Sequence, residues 1–329
     1  YRYRIWVINA LIRDIPFNAF IQAQIAGDLL AVHASNSEQA KDLNVATGFI
    51  SLSRRFGNRK ADSLHMTIED TLDTLGRGVM GITLRCARCH DHKFDPVPTK
   101  DFYRIYSALA TTQPAERRAR FLKKENRDDF PVNRERVEEL LGFARKKLDA
   151  LYLKREEAAK KWYADRNRSA EYRPFNVRRG TRTDDKPPRF VGLGVEEEGR
   201  LKVREQDVRS WTRRLERYQA LSQSVYYGGD LHQKSSTLRM TNPKKGQELK
   251  RSRVAPVNHI YAGGSVYSKK DPVSPGVLSA VGVKTPSGSR NDPFSLPTSI
   301  KGRRLPLARW IVHRAVSYTH LTLPTNREV

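Results

Sequence analysis

A chain of 329 residues, 38% hydrophobic and 29% charged, has the size and balance for one or two packed domains with irregular segments between them. It holds no apolar run near the ~18 residues that span a bilayer, and its 2 cysteines are too few for a disulfide framework or a four-thiolate metal cluster. The net charge of +25 favours anionic partners, but residues 1–115, with 14 basic and 11 acidic side chains, are nearly balanced, so the excess lies further along the chain.

In chain order, Pro16 opens a helix with Phe17, Phe20, Ile21, Ile25 and Leu29 on one side, mildly interrupted at Gly27-Asp28. Residues 31–44 read as a polar connection, and the stretch from Gly48 to Gly57 fits either an extended or a helical form. Ile68, Leu72, Leu75, Val79 and Ile82 then recur at steps of three and four, which predicts a helix. Glu69, Asp70 and Asp73 on that helix read as a solvated or capping face rather than an acid–base pair.

The helix leads into Cys86-Ala87-Arg88-Cys89-His90, the C-x-x-C-H pattern of c-type haem attachment. Two thiols a helical turn apart can each form a thioether with a porphyrin vinyl group, and the next imidazole can meet the iron as the proximal ligand. Cys86, Cys89 and His90 are therefore the candidate cofactor-binding residues, with haem c as the cofactor. Two other readings stay open: a non-haem centre holding zinc or another divalent metal, in a metal-binding protein or hydrolase, which would add His92 and Asp95, and a local disulfide. His92 reads equally well as a hydrogen-bonded turn residue. Met66, Met80, His65, His92 and His259 are candidates for a sixth axial position.

Asp95-Pro96 and Val97-Pro98 predict an extended turn, and Thr99 caps a helix with Phe102, Tyr103, Ile105, Tyr106 and Leu109 on its apolar face. A long helix follows from Asn133, with Val137, Leu141, Ala144, Leu148, Leu151, Ala158 and Trp162 near a heptad seam. A second begins near Leu201 and carries Val208, Trp211, Leu215, Tyr218 and Val225. Together they predict an antiparallel hairpin whose connection, 173–199, is rich in Arg, Pro, Gly and Glu. Residues 228–256 read as irregular, VNHIYAGGSVYS as a short β element, 284–302 as a linker, and 303–313 as a helix with Leu307, Trp310 and Ile311. The fold class expected is mainly α: a helical cytochrome-like domain, a long helical hairpin insertion, and a small irregular, β-containing C-terminal part.

The block HMTIEDTLDTLGRGVMGITLRCARCHDHKFDPVPTKDFYRIYSAL, with RDIPFNAFIQAQIAGDLL and ATGFISLSRRFG before it, resembles the planctomycete cytochrome-c-like domain called DUF1549. HIYAGGSVYSKKDPVSPGVLSAV and RRLPLARWIV resemble, more loosely, the start of its companion domain DUF1553. The resemblance implies a large exported protein, with Cys86 and Cys89 as attachment thiols and His90 as proximal ligand. It does not by itself imply a reaction, and whether the chain is an enzyme stays open. The domains expected are 1–112, cytochrome-like; 113–253, a charged hairpin region; 254–315, the truncated start of the companion; and 316–329, a tail resembling adapter read-through and set aside with His320. On this reading the chain is a fragment of an exported, periplasmic electron carrier with a redox protein as partner. An anionic-polysaccharide-binding module is the alternative suggested by the basic C-terminal half. The chain carries no zinc finger, ribonucleoprotein motif or clear helix-turn-helix, so nucleic acid is not an expected partner. Walker and dinucleotide loops and a Ser-His-Asp set are likewise not evident.

Overall fold

Helix α2 (Phe17–Leu30) begins directly after Pro16, whose fixed φ suits a helix start, and buries Ile21, Ile25 and Leu29 at steps of four. Phe17 at its start is exposed. The computed structural model that gives this arrangement describes residues 1–53, 60–178, 186–228 and 255–316. Before α2 stands α1 (Arg2–Ile12), and the supposed polar connection after it contains α3 (Ser37–Ala46). The signal for α3 is local: the Asn36 side chain accepts from the Gln39 amide at 2.8 Å, an N-cap that the acidic, weakly apolar run behind it obscured. Where α2 bends at Ala26, the adjoining Gly27 allows close approach of α3, since a Cβ there would lie 2.1 Å from the Leu43 carbonyl oxygen.

A short α4 (Gly48–Ser51) resolves the ambiguous stretch as helix up to Ser51; residues 54–59 of that stretch lie outside the described residues. α5 (Lys60–Leu75) carries the Ile68, Leu72 and Leu75 stripe and widens into a π turn at Gly76–Met80 that stops at Gly81, φ 69°. After the cysteine turn, α6 (Thr99–Leu109) is buried on every side from Asp101 to Leu109, so it is a central helix rather than an amphipathic surface one.

The chain then forms β1 (Thr112–Arg118). Next come α7 (Phe130–Ala164), the short α8 (Phe175–Arg178) and α9 (Val195–Leu215), followed by β2 (Leu221–Tyr227), β3 (Asn258–Tyr261), β4 (Lys269–Val273) and α10 (Arg304–Ile311). β1 and β2 pair antiparallel with Pro114 opposite Val225, and β3 pairs with β4. Val225, expected at the end of a helix, belongs instead to the β-branched and aromatic run Val225-Tyr226-Tyr227, which suits a strand.

Two compact bodies result, Tyr1–Leu122 with Leu221–Val329, and Lys123–Ala220. In the first, the segment expected to open a companion domain shares its core with the N-terminal helices: Val277, Leu278, Leu307 and Trp310 join Ile25, Leu72, Phe102 and Tyr103 in one cluster. Val316, placed in the supposed tail, is also buried in that core, while residues 317–329 lie outside the described residues. Buried charges tie the parts together. Arg304 grips Asp28 with two bonds of 2.6 and 2.8 Å and donates to the Ile25 carbonyl at 2.8 Å. Arg303 donates to the Ser107 carbonyl, Arg104 forks onto Asp292, and Asp101 accepts from the backbone and hydroxyl of Ser279.

The second body is the predicted hairpin. α7 buries Val137, Leu141, Ala144, Leu148 and Tyr163. The pairs Phe130–Tyr218, Tyr152–Glu205 and Lys154–Glu197 run in opposite chain directions, as in an antiparallel pair. α9 begins with three glutamates and ends with Arg213 and Arg214, complementing its dipole. Residues 179–185 of its connection, and 229–254 of the stretch expected to be irregular, lie outside the described residues. Among the described residues no helix is long and apolar enough to cross a membrane.

Candidate functional site

The cysteine motif folds as a 3-10 turn, Arg85–Arg88, whose alternation decides what faces outward. Leu84 and Ala87 point into the core, at 1% and 0% exposure, so Cys86 and Cys89 face solvent as free thiols. The turn closes on itself through Ala87 N to Leu84 O at 3.1 Å and Cys89 N to Cys86 O at 3.3 Å.

His90 is exposed, and its Nδ1 lies 2.8 Å from the Asp91 carbonyl. A carbonyl only accepts, so Nδ1 carries the proton of the neutral ring and Nε2 keeps the lone pair. Asp91 in turn accepts from the Thr99 amide at 2.7 Å, which fixes the start of α6 against the motif.

His92 is a different case. Its side chain is 6% exposed, Nδ1 accepts from the Asp95 amide at 2.8 Å, and Nε2 is 3.0 Å from Thr83 Oγ1. Both nitrogens hold the loop, as expected of a turn histidine. Asp95 lies 3.6 Å from His92 Nδ1, but no group of three or more His, Cys, Asp or Glu among the described residues is placed to share an ion. The structure therefore does not bring His90, His92 and Asp95 together with the thiols into a non-haem centre.

Behind the turn lies a cluster that the sequence reading missed. His65 Nε2 is 2.8 Å from Glu69 Oε1 and 3.3 Å from the Gly264 carbonyl, and Nδ1 is 3.2 Å from Tyr106 Oη. The ring N–H aligns with the carbonyl, and the carboxylate oxygen sits beside it off axis. Glu69 Oε2 takes a 2.8 Å bond from Arg88, the residue between the cysteines. Tyr103 Oη lies 2.9 Å from the Arg88 carbonyl and 3.3 Å from that of Tyr261. Gly264 is required where it stands: its φ is +75°, and a Cβ would come within 2.4 Å of Arg88 Nε.

Electrostatics follow from burial and pairing. Burial alone would raise the Glu69 carboxyl, but His65 and Arg88 outweigh it and hold the group below its ordinary value. Burial likewise works against the Arg88 cation, and Cys89 and Glu69 more than compensate. The Tyr106 phenol is pushed well above its ordinary value by burial, then by Tyr261, Glu69 and Tyr103, and burial also raises Tyr103 and Tyr261.

Glu69 is 7% exposed, not on the solvated face expected for it. The signal was available: His65 and Glu69 stand four apart and fall in register with Ile68 and Leu72. The axial candidates fare unevenly. His65 and His92 have both ring nitrogens engaged, Met80 is buried in the core, and His259 Nδ1 lies 3.0 Å from the Lys270 carbonyl.

No curated protein and no solved structure matches the chain. Residues 1–114 match the family model PSCyt2, described as a protein of unknown function, DUF1549. The first part of the chain, including the cysteine turn, is thus similar to DUF1549 proteins.

Proposed function

We propose that Cys86, Cys89 and His90 are a covalent attachment site for haem c, and that the chain acts as an extracytoplasmic electron carrier with a protein redox partner. The observation that supports this best is the state of His90: with Nδ1 tied to the Asp91 carbonyl, Nε2 is the nitrogen left to meet iron. The donor set also fits, since both thiols are free, exposed and at the required spacing. Leu84 and Ala87 anchor the turn in the core, and Asp91 and His92 hold the loop that presents the imidazole. Haem bound there supplies a one-electron iron couple. In bacteria such attachment takes place outside the cytoplasm, which is the basis for the compartment proposed.

The test is expression of the full chain with a cytochrome maturation system, followed by a pyridine haemochrome spectrum and a haem-stained denaturing gel. Covalent haem is expected in the wild type, and none in Cys86→Ala/Cys89→Ala. Stoichiometric zinc with no haem, or a Cys86–Cys89 disulfide in material from the native host, would overturn the assignment.

A further inference from the structure

The cluster behind the motif is too enclosed for a substrate. Tyr103 is 0% exposed, Tyr106 and His65 5%, Glu69 7% and Tyr261 8%. Groups so enclosed exchange with their surroundings what can pass through packed protein, which is electrons and, along hydrogen bonds, protons. Tyr106 is hydrogen-bonded to His65, the Glu69 carboxylate lies 2.8 Å from the His65 ring though off its N–H axis, and Glu69 is hydrogen-bonded to Arg88, so phenol, imidazole, carboxylate and guanidinium lie in contact in that order.

We propose that Tyr106 is a redox-active tyrosine, which gives one electron to a high-potential one-electron oxidant while its phenolic proton passes to Nδ1 of His65. The balance is complete: the oxidant gains the electron, the O–H bond breaks, an N–H bond forms, and a neutral phenoxyl radical and an imidazolium remain. Re-reduction returns the proton along the same hydrogen bond.

Three observations support the assignment. First, Nε2 of His65 is flanked by two acceptors, the Gly264 carbonyl and the Glu69 carboxylate, so the ring proton sits on Nε2 and Nδ1 offers a lone pair to Tyr106. Second, the imidazolium formed would be stabilised by Glu69, which Arg88 holds in its ionised state. Burial also favours the protonated Tyr106 hydroxyl, so the phenol enters the step with a proton to give to His65. Third, Tyr106 has ring neighbours for electron passage: Tyr103 at 6.0 Å and Tyr261 at 6.3 Å between centroids. Tyr103 is in turn hydrogen-bonded to the Arg88 carbonyl within the cysteine turn. The proposal does not rest on haem attachment.

The experiment uses the full chain expressed without haem maturation, oxidised by a flash-generated ruthenium(III) polypyridyl complex and followed by electron paramagnetic resonance. The wild type should give a tyrosyl radical that forms more slowly in heavy water. Tyr106→Phe should lose that signal, and His65→Gln should slow its formation on the order of a hundredfold, the scale of a lost positioned proton acceptor. The exposed Tyr267→Phe should behave as wild type. Should Tyr106→Phe fail to fold, a ring-fluorinated tyrosine at position 106 keeps the hydroxyl and must change the hyperfine pattern. An unchanged pattern, a radical that survives in Tyr106→Phe, or a rate indifferent to His65→Gln would overturn the proposal and leave the cluster a structural network. None of these outcomes bears on whether Cys86 and Cys89 take haem.

Discussion

The two bodies differ in where their charges are paired. In the hairpin, most ion pairs lie on the surface between near neighbours, such as Arg134 with Glu138 and Lys202 with Glu198, with Lys154–Glu197 bridging the two helices. The body that carries the cysteine turn has surface pairs too, such as Arg77 with Asp73, but adds pairs distant in sequence with at least one partner buried: Arg304 with Asp28 at 3% and 2% exposure, Arg104 with Asp292, and Arg88 with Glu69. Surface pairs are screened by water and give little stability, whereas a buried pair that loses one partner strands a charge in low dielectric. The +25 net charge thus says little about how the chain is held together, because the charges that matter structurally are few and already neutralised.

This contrast can be broken by substitution. The largest effect should come from Arg304→Ala, which strands Asp28 and should cost about 3–5 kcal/mol in urea unfolding of the full chain. An effect no larger than that of a surface pair would mean that this contact does not join α10 to α2. Gly264→Ala should come next, at about 1–3 kcal/mol for the left-handed backbone position, with further displacement of Arg88. Normal stability in that variant would show that Arg88 does not need to lie across Gly264.

A pH titration sharpens the same comparison. The folded-state value of Glu69 lies below its ordinary 4.5, so the group contributes stability that is fully present above that value and is lost as pH falls through the lower folded value. Glu69→Gln should therefore flatten part of the acid limb of stability against pH, and an unchanged limb would remove Glu69 as a cause. The smallest effect belongs to the hairpin: Arg134→Ala should cost about 0.3 kcal/mol, close to the resolution of denaturant melts.

The same division governs what could be read from residues alone. The hairpin was legible because its signal is local and repeats: Val137, Leu141, Ala144 and Leu148 announce a helix without reference to anything distant. The ribbon of β1 and β2 was not, since Thr112–Arg118 contains Pro114 and five polar or charged side chains, and its partner lies beyond a hundred residues of intervening chain. The cysteine turn was legible as a motif, and the exposure of its thiols followed from Leu84 and Ala87 turning inward. What escaped was its support: Tyr261 reaches Tyr103 from 158 residues downstream and Gly264 reaches His65 from 199, and no spacing rule encodes such an approach. Glu69 illustrates a more general difficulty, for an acidic residue on a helix is solvated unless a distant cation accompanies it inside.

The ribbon has an implication for how such a chain can change over time. Because Arg118 stands opposite Leu221, the intervening segment leaves and re-enters the core at adjoining points. A segment with that geometry can be lengthened, exchanged or excised without rerouting the rest of the backbone. A short turn grafted between the two strands would leave their pairing in place and take only Ala119 from the buried residues of the first body, which makes the ribbon a natural splice junction.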